Sequence, residues 1–183
     1  MSAQHKNQVR IIGGQYNRRI LKFPDSLALR PTPDRVRETL YNWLGQDCTG
    51  MLCLDLFSGS GALGFEAASR NAKKVVMVEA AKPVFAAIKS NKELLKADHI
   101  ELYCGTAERY LSTCKEQFDL VLLDPPFATD LLNEILPQIV PFLAPEARVY
   151  IECATLPELT EWEVLREGKA GTVKYALLCR ASA

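Results

Sequence analysis

The chain has 183 residues, of which 48% are hydrophobic and 24% charged, so it can bury a sizeable core as one domain and is neither a disordered nor a fibrous sequence. Its 22 Lys and Arg balance 22 Asp and Glu, which argues against wholesale polyanion binding. The opening residues are polar, no run reaches the roughly 18 apolar residues of a membrane span, and the six cysteines show no C-x-x-C spacing, so a cytoplasmic chain with reduced, mostly buried cysteines, no zinc and no disulfides is expected.

The even balance hides an asymmetry along the chain. Residues 1–45 hold eight Lys and Arg against three Asp and Glu, whereas residues 46–183 hold fourteen against nineteen. A basic arm on an acidic body suits a chain that meets a polyanion with one part only. Within the arm, residues 9–14 and 18–23 flank a turn at residues 14–17 and predict a β-hairpin carrying Arg10, Arg18, Arg19 and Lys22. A helix is predicted from Pro33, with Thr32 as its cap and Val36, Leu40, Trp43 and Leu44 on one face. Arg35 and Arg37 fall off that face and, with Arg30, are placed to reach a phosphate or the mouth of a cofactor site.

The stretch 53–70 reads as strand, glycine turn and helix. Gly59 and Gly61 permit a positive φ and a close approach of ligand to backbone. Gly59-Ser-Gly-Ala-Leu-Gly64 matches the dinucleotide pattern G-x-G-x-x-G, a weak signal by itself. Asp55, four residues before the first glycine, would repel a pyrophosphate and attract a cationic methionine end, which favours S-adenosylmethionine over a nicotinamide dinucleotide. A helix-capping role for Asp55 fits less well, because the helix starts several residues later.

Continuous apolar strands then alternate with helical stretches, which predicts a parallel sheet covered on both faces, a doubly wound α/β architecture closed by an antiparallel hairpin. Pro137 and Pro141 are expected to bend or end the fifth helix. Ligands in such sheets lie at the carboxyl ends of the strands, here Asp55, Glu79, residues 104–107 and Asp124. Glu79, 20 residues after Gly59, is positioned to accept both hydroxyls of a ribose, and Thr106 and Ala107 to face an adenine.

The fourth strand of this series ends in Asp124-Pro125-Pro126-Phe127. Two prolines remove two backbone donors, so the corner presents only acceptors, which suits the N–H groups of an exocyclic amine on a base. Accepting both would favour a pyramidal nitrogen with its lone pair directed at a methyl group, and Phe127 offers a stacking face for a flipped base. No metal is needed.

Asp55-Leu-Phe-Ser-Gly-Ser-Gly-Ala-Leu-Gly64 together with Asp124-Pro-Pro-Phe127 resembles the class I S-adenosylmethionine methyltransferases that act on amino groups. Arg10-Ile-Ile-Gly-Gly and Leu29-Arg-Pro-Thr-Pro-Asp-Arg-Val-Arg-Glu-Thr-Leu-Tyr-Asn-Trp-Leu44 resemble more narrowly the RsmD family, which methylates N2 of a guanine in bacterial 16S ribosomal RNA. That resemblance implies a Rossmann-like, mostly parallel seven-stranded sheet with an N-terminal hairpin and helix extension. It implies a single methyltransferase domain over 1–183, with the basic arm at 1–45 and the catalytic core at 46–183. It further implies cofactor contacts from Asp55, Phe57, Ser58, Gly59, Gly61, Glu79, Thr106 and Ala107, catalysis at Asp124, Pro125, Pro126 and Phe127, and RNA contacts from Arg10, Arg18, Arg19, Arg30, Arg35 and Arg37. Thr106 departs from the Asp or Asn common in related enzymes. The implied partner is 16S ribosomal RNA in the assembling or assembled small subunit, met by a monomer. An N6-adenine methyltransferase of DNA or RNA, or a non-catalytic RNA-binding assembly factor on the same fold, stands as the alternative.

Overall fold

The computed structural model describes residues 7–25, 29–126 and 130–182. Strands β1 (Gln8–Arg10) and β2 (Ile20–Lys22) pair antiparallel, with Val9 opposite Leu21. Then come α1 (Asp34–Trp43), β3 (Leu52–Asp55), α2 (Ala62–Ser69), β4 (Lys74–Glu79), α3 (Lys82–Leu95), β5 (Ile100–Cys104) and α4 (Ala107–Thr113). The chain continues through β6 (Phe118–Leu123), α5 (Leu131–Ile139), β7 (Leu143–Cys153), β8 (Trp162–Ala170) and β9 (Val173–Arg180). Pro137 lies inside α5, and the helix stops at Ile139, two residues before Pro141, in a 3-10 turn over Val140–Phe142.

The larger sheet has seven strands in the order β5-β4-β3-β6-β7-β9-β8, with only β9 running against its neighbours. Winding reverses between β3 and β6, which opens a crevice at their carboxyl ends. Alternation along the strands splits the core into two layers. Cys53, Met77, Leu122 and Tyr150 face the layer made with the hairpin, α1, α2 and α3. Leu54, Val78, Leu123 and Ile151 face α4 and α5. Burial on both faces explains why these strands are apolar throughout rather than alternating with polar residues. Cys48, Cys53 and Cys153 are buried free thiols, Cys114 and Cys179 are partly buried, and Cys104, at the end of β5, is exposed. Among the described residues, no helix is long and apolar enough to cross a membrane.

The N-terminal hairpin is fastened to this core by buried charge. Glu66, on α2, is fully buried and accepts hydrogen bonds from Ile12 N at 3.1 Å, Arg37 Nη1 at 3.2 Å and Arg70 Nε at 3.1 Å. Arg37 also donates to the carbonyls of Arg10 at 2.8 Å and Thr32 at 3.0 Å, and pairs with Asp34. Burial pushes the Glu66 carboxyl above its ordinary range, and these donors oppose that shift. At the hairpin turn, Gly14 has φ +76°, and a Cβ there would stand 1.9 Å from the Ser69 carbonyl oxygen, so only glycine lets the turn press against the end of α2.

This corrects the sequence reading at two places. Arg37, expected on an RNA-facing surface, is fully buried and has its donors committed inside the protein. Thr32 does not cap α1: the N-cap position is Pro33, the helix begins at Asp34, and the Thr32 hydroxyl donates to Glu152 Oε1 at 2.8 Å. Arg10, Arg18, Arg19, Arg30 and Arg35 are exposed, with Arg19 Nη2 donating to the Leu94 carbonyl at 3.3 Å. Removing the Arg37 guanidinium strips a buried carboxylate of one partner, so Arg37→Ala should cost about 3 to 5 kcal/mol in urea unfolding. Arg35→Ala, at an exposed position two residues earlier, should change stability by no more than about 0.5 kcal/mol.

Candidate active site

A cavity of about 550 Å³ opens at the carboxyl ends of the central strands. One wall is the turn after β3, where Phe57, Ser58 and Gly59 line the space. A second is the end of β4 with Glu79 and Ala81, and a third is the start of α4 with Thr106 and Ala107. Asp124, Pro125 and Pro126 close the side toward β6, and Leu29, Arg30 and Thr32 of the segment before α1 lie across from the glycine turn. The sequence-predicted groups at 57–59, 79, 106–107, 124–126 and 30 are therefore brought to one cavity. Phe127 lies outside the described residues.

Two predicted residues stand behind this wall rather than in it. Asp55 is 1% exposed and does not line the cavity; its Oδ2 accepts from Gly64 N, in the first turn of α2, at 3.1 Å. Asp55 is not the N-cap of α2, which is Gly61, as the later helix start implies; it accepts a first-turn N–H because the turn folds Gly64 back over the strand end. Its Oδ1 is buried with no hydrogen-bond partner, and burial pushes the carboxyl up to about 7. Gly61 also stays out of the lining. It has φ +84°, and a Cβ there would meet the Phe65 ring at 2.6 Å and Met77 Cε at 3.1 Å. Its glycine requirement comes from the turn and from packing under α2, not from the cofactor space.

Glu79 is held by the turn it faces: Oε1 accepts from Gly59 N at 2.9 Å and Oε2 from Ala81 N at 2.9 Å. Each oxygen keeps a further lone pair for a ligand hydroxyl. Thr106 lines the cavity while its hydroxyl caps α4, accepting from Arg109 N at 3.1 Å, which leaves one O–H hydrogen for a ligand. Gly59 N, spent on Glu79, is not available to a phosphate.

Asp124 has company that the motif did not announce. Glu152, on β7, is 4% exposed, and its Oε1 accepts from Thr32 Oγ1 at 2.8 Å and Tyr150 OH at 2.6 Å. Burial first, and then the Glu152 charge, push the Asp124 carboxyl well above the usual carboxylate range. The signal that could have found Glu152 is the two-residue period: Leu122 pairs with Tyr150 and Leu123 with Ile151, so the next step brings Asp124 beside Glu152. Four carboxyls, Asp55, Glu79, Asp124 and Glu152, thus gather at the ends of β3, β4, β6 and β7.

Known proteins resemble this chain over nearly its full length. The family model described as conserved hypothetical protein 95 matches residues 9–179. Ribosomal RNA small subunit methyltransferase D of Escherichia coli K12 is 41% identical over 179 residues, covering 94% of this chain and 90% of that protein. The protein of the same name from Haemophilus influenzae is 40% identical over 181 residues, covering 94% of each. The solved structure of yhhF from Escherichia coli superposes with a TM-score of 0.86 at 38% identity, covering 96% of this chain and 99% of that one. With this identity sustained over nearly the full length, and with the seven-stranded sheet and its glycine turn in place, the chain belongs to the RsmD family of class I, S-adenosylmethionine-dependent methyltransferases.

Proposed function

We propose that this chain methylates the N2 amine of a guanine in 16S ribosomal RNA, in the assembling or assembled small subunit, as a cytoplasmic monomer of one domain. The observation that carries the reading is that a hydroxyl-accepting carboxylate, Glu79, and an acceptor corner without backbone donors, Asp124-Pro125-Pro126, line one cavity. The relatives' names support the RNA, since the similar proteins from Escherichia coli and Haemophilus influenzae are small subunit ribosomal RNA methyltransferases.

The residues present suit S-adenosylmethionine. Glu79 offers acceptors to a ribose, Val78, Ala81 and Val84 give apolar walls, and the unpaired Asp55 Oδ1 places negative potential behind the turn, toward which a cationic methionine end is drawn. When bound, the cofactor supplies a methyl group on a positively charged sulfur that keeps the electron pair of the broken bond. The chain's part is to hold the amine. Asp124 and a neighbouring proline carbonyl accept its N–H hydrogens, Pro125 and Pro126 offer no competing donor, and the nitrogen lone pair is left directed away from the acceptors. Preorganised acceptors act most strongly in such a half-buried site.

The direct test is labelled methyl transfer to small ribosomal subunits and to naked 16S RNA, followed by nucleoside identification. N2-methylguanosine is the expected product; N6-methyladenosine would transfer the proposal to adenine, and no transfer would leave a binding factor. Asp124→Ala should lower kcat by orders of magnitude with cofactor affinity little changed in calorimetry, because it removes an interaction made to the amine. Glu79→Ala should weaken cofactor binding, and unchanged affinity would overturn its ribose role. Exposed Arg10, Arg18, Arg19 and Arg35 are proposed to meet RNA phosphates. Neutralising all four should weaken RNA binding and flatten the salt dependence by up to about 0.7 log units per lost contact, with cofactor affinity unchanged.

A further inference from the structure

We propose that Glu152 is a positioning residue for the transfer: held by Tyr150 and Thr32, it shares one proton with Asp124 and so turns the other Asp124 oxygen toward the amine. The proposal rests on Asp124 being the amine acceptor, the reading given above.

Three observations meet here. The first is register, which sets Asp124 at the end of β6 beside Glu152 on β7, on the same face of the sheet. The second is that the neighbouring Glu152, after burial, pushes the Asp124 carboxyl well above the usual carboxylate range. Two carboxylates are acceptors only, so a hydrogen bond between them exists only when one carries a proton. The third is the direction in which Glu152 is held. Its Oε1 already takes two hydroxyl donors, Tyr150 OH at 2.6 Å and Thr32 Oγ1 at 2.8 Å, so the shared proton belongs between Oε2 and Asp124. Glu152 is 4% exposed and does not line the cavity, whereas Asp124 does, so Glu152 acts through Asp124 and not on the substrate.

Buried like charges in contact keep one proton between them, and that proton belongs to the pair. Besides Glu152, the groups facing Asp124 are Asp55 from β3, Tyr150 from β7 and the Thr32 hydroxyl. Tyr175 of β9 pairs in register with Glu152, and Glu79, Glu108 and Arg30 line the same cavity. Arg30 is the cation among these groups, and it is exposed, so the pair's proton is kept mainly by carboxyl against carboxyl. The same arrangement gives Asp124 a fixed plane. One oxygen is tied down by the shared proton, and the other is left to accept from the amine.

The test is the pH profile of kcat/KM for methyl transfer to small subunits, run on the full chain as wild type, Glu152→Gln and Tyr150→Phe. A glutamine keeps both hydroxyl contacts, removes the like charge and donates to Asp124 without a titrating proton. Loss of the shared proton should therefore set an alkaline limb in the wild type, which Glu152→Gln should lack because it has no shared proton to lose. Tyr150→Phe withdraws a donor from the Glu152 anion and should move the limb up, which keeps the proposal testable if Glu152→Gln does not fold. Calorimetric affinity for S-adenosylmethionine should be the same in all three.

A second readout needs no turnover. Above about pH 4 the folded cofactor-free protein keeps a proton that the unfolded chain releases, so the pair makes stability fall as pH rises. That fall, followed by thermal unfolding between roughly pH 5 and 9, should be smaller in Glu152→Gln than in wild type; Asp55 contributes alike to both. The same alkaline limb in Glu152→Gln as in wild type, with an identical stability slope, would overturn the shared proton and the positioning role. If the wild type methylates no exocyclic amine, the functional reading fails, and the stability comparison still decides the pair.

Discussion

The buried pairing of Glu66 with Arg37 and Arg70 is the constraint on which the rest of the molecule depends. Three charged groups taken out of water are tolerated only if each finds partners, and each does: Glu66 accepts from both guanidiniums and from Ile12 N, while Arg37 spends its remaining donors on the carbonyls of Arg10 and Thr32 and on the Asp34 carboxylate. Apolar replacements could supply as much stability. What the ion pairs supply in addition is direction, because their hydrogen bonds fix where the hairpin, the segment before α1 and α2 sit relative to one another. Arg70 adds a contact over the Tyr41 ring, with the guanidinium carbon 4.9 Å from the ring centroid, so α1 is drawn into the same knot.

From that knot the site is assembled by geometry alone. Arg37 grips the Thr32 carbonyl, which leaves the Thr32 hydroxyl to reach Glu152, and Leu29 and Arg30 just before it form a wall of the cavity. Across the sheet, the period of two sends Asp55, Glu79, Asp124 and Glu152 to one face at the strand ends. Each is handled differently. Glu79 takes one backbone donor on each oxygen and keeps a lone pair on each for the cavity, whereas Asp55 is buried with one oxygen unpaired and Asp124 is pressed against another carboxyl. Similar side chains thus acquire separate tasks from their surroundings.

Much of this was legible in the sequence. Apolar runs of strand length separated by helical periodicity point to the parallel sheet, and the turn at 57–59 with Glu79 and Asp124-Pro-Pro points to a cavity at the strand ends. What was not legible depends on contacts between distant segments. Arg37 sits off the apolar stripe of α1 and looks like surface, because its partner Glu66 lies 29 residues away on another element. Thr32 resembles a cap until Glu152, 120 residues on, claims its hydroxyl. Gly61 belongs to a ligand-type motif, yet its missing side chain makes room for Phe65 and Met77. In each case local pattern identified a position under constraint and misassigned the partner that imposes it.

The same long-range contacts decide how far the basic arm can be treated as a separate device. Its exposed arginines belong to segments whose backbone carbonyls, at Arg10 and Thr32, are held by a guanidinium buried in the core. A force on the hairpin from bound RNA would therefore be transmitted to Arg37, and through it to Thr32 and the carboxyl pair at Asp124, without needing a flexible hinge. Packed interiors resist such displacement, so these contacts couple the arm to the acceptor corner. On the proposed function, the surface carrying the arginines and the Asp124 corner are thus joined through direct contacts. On that account a substrate that fits both at once, with phosphates and target base in fixed relation, gains over a flexible strand that must give up its own freedom to match them.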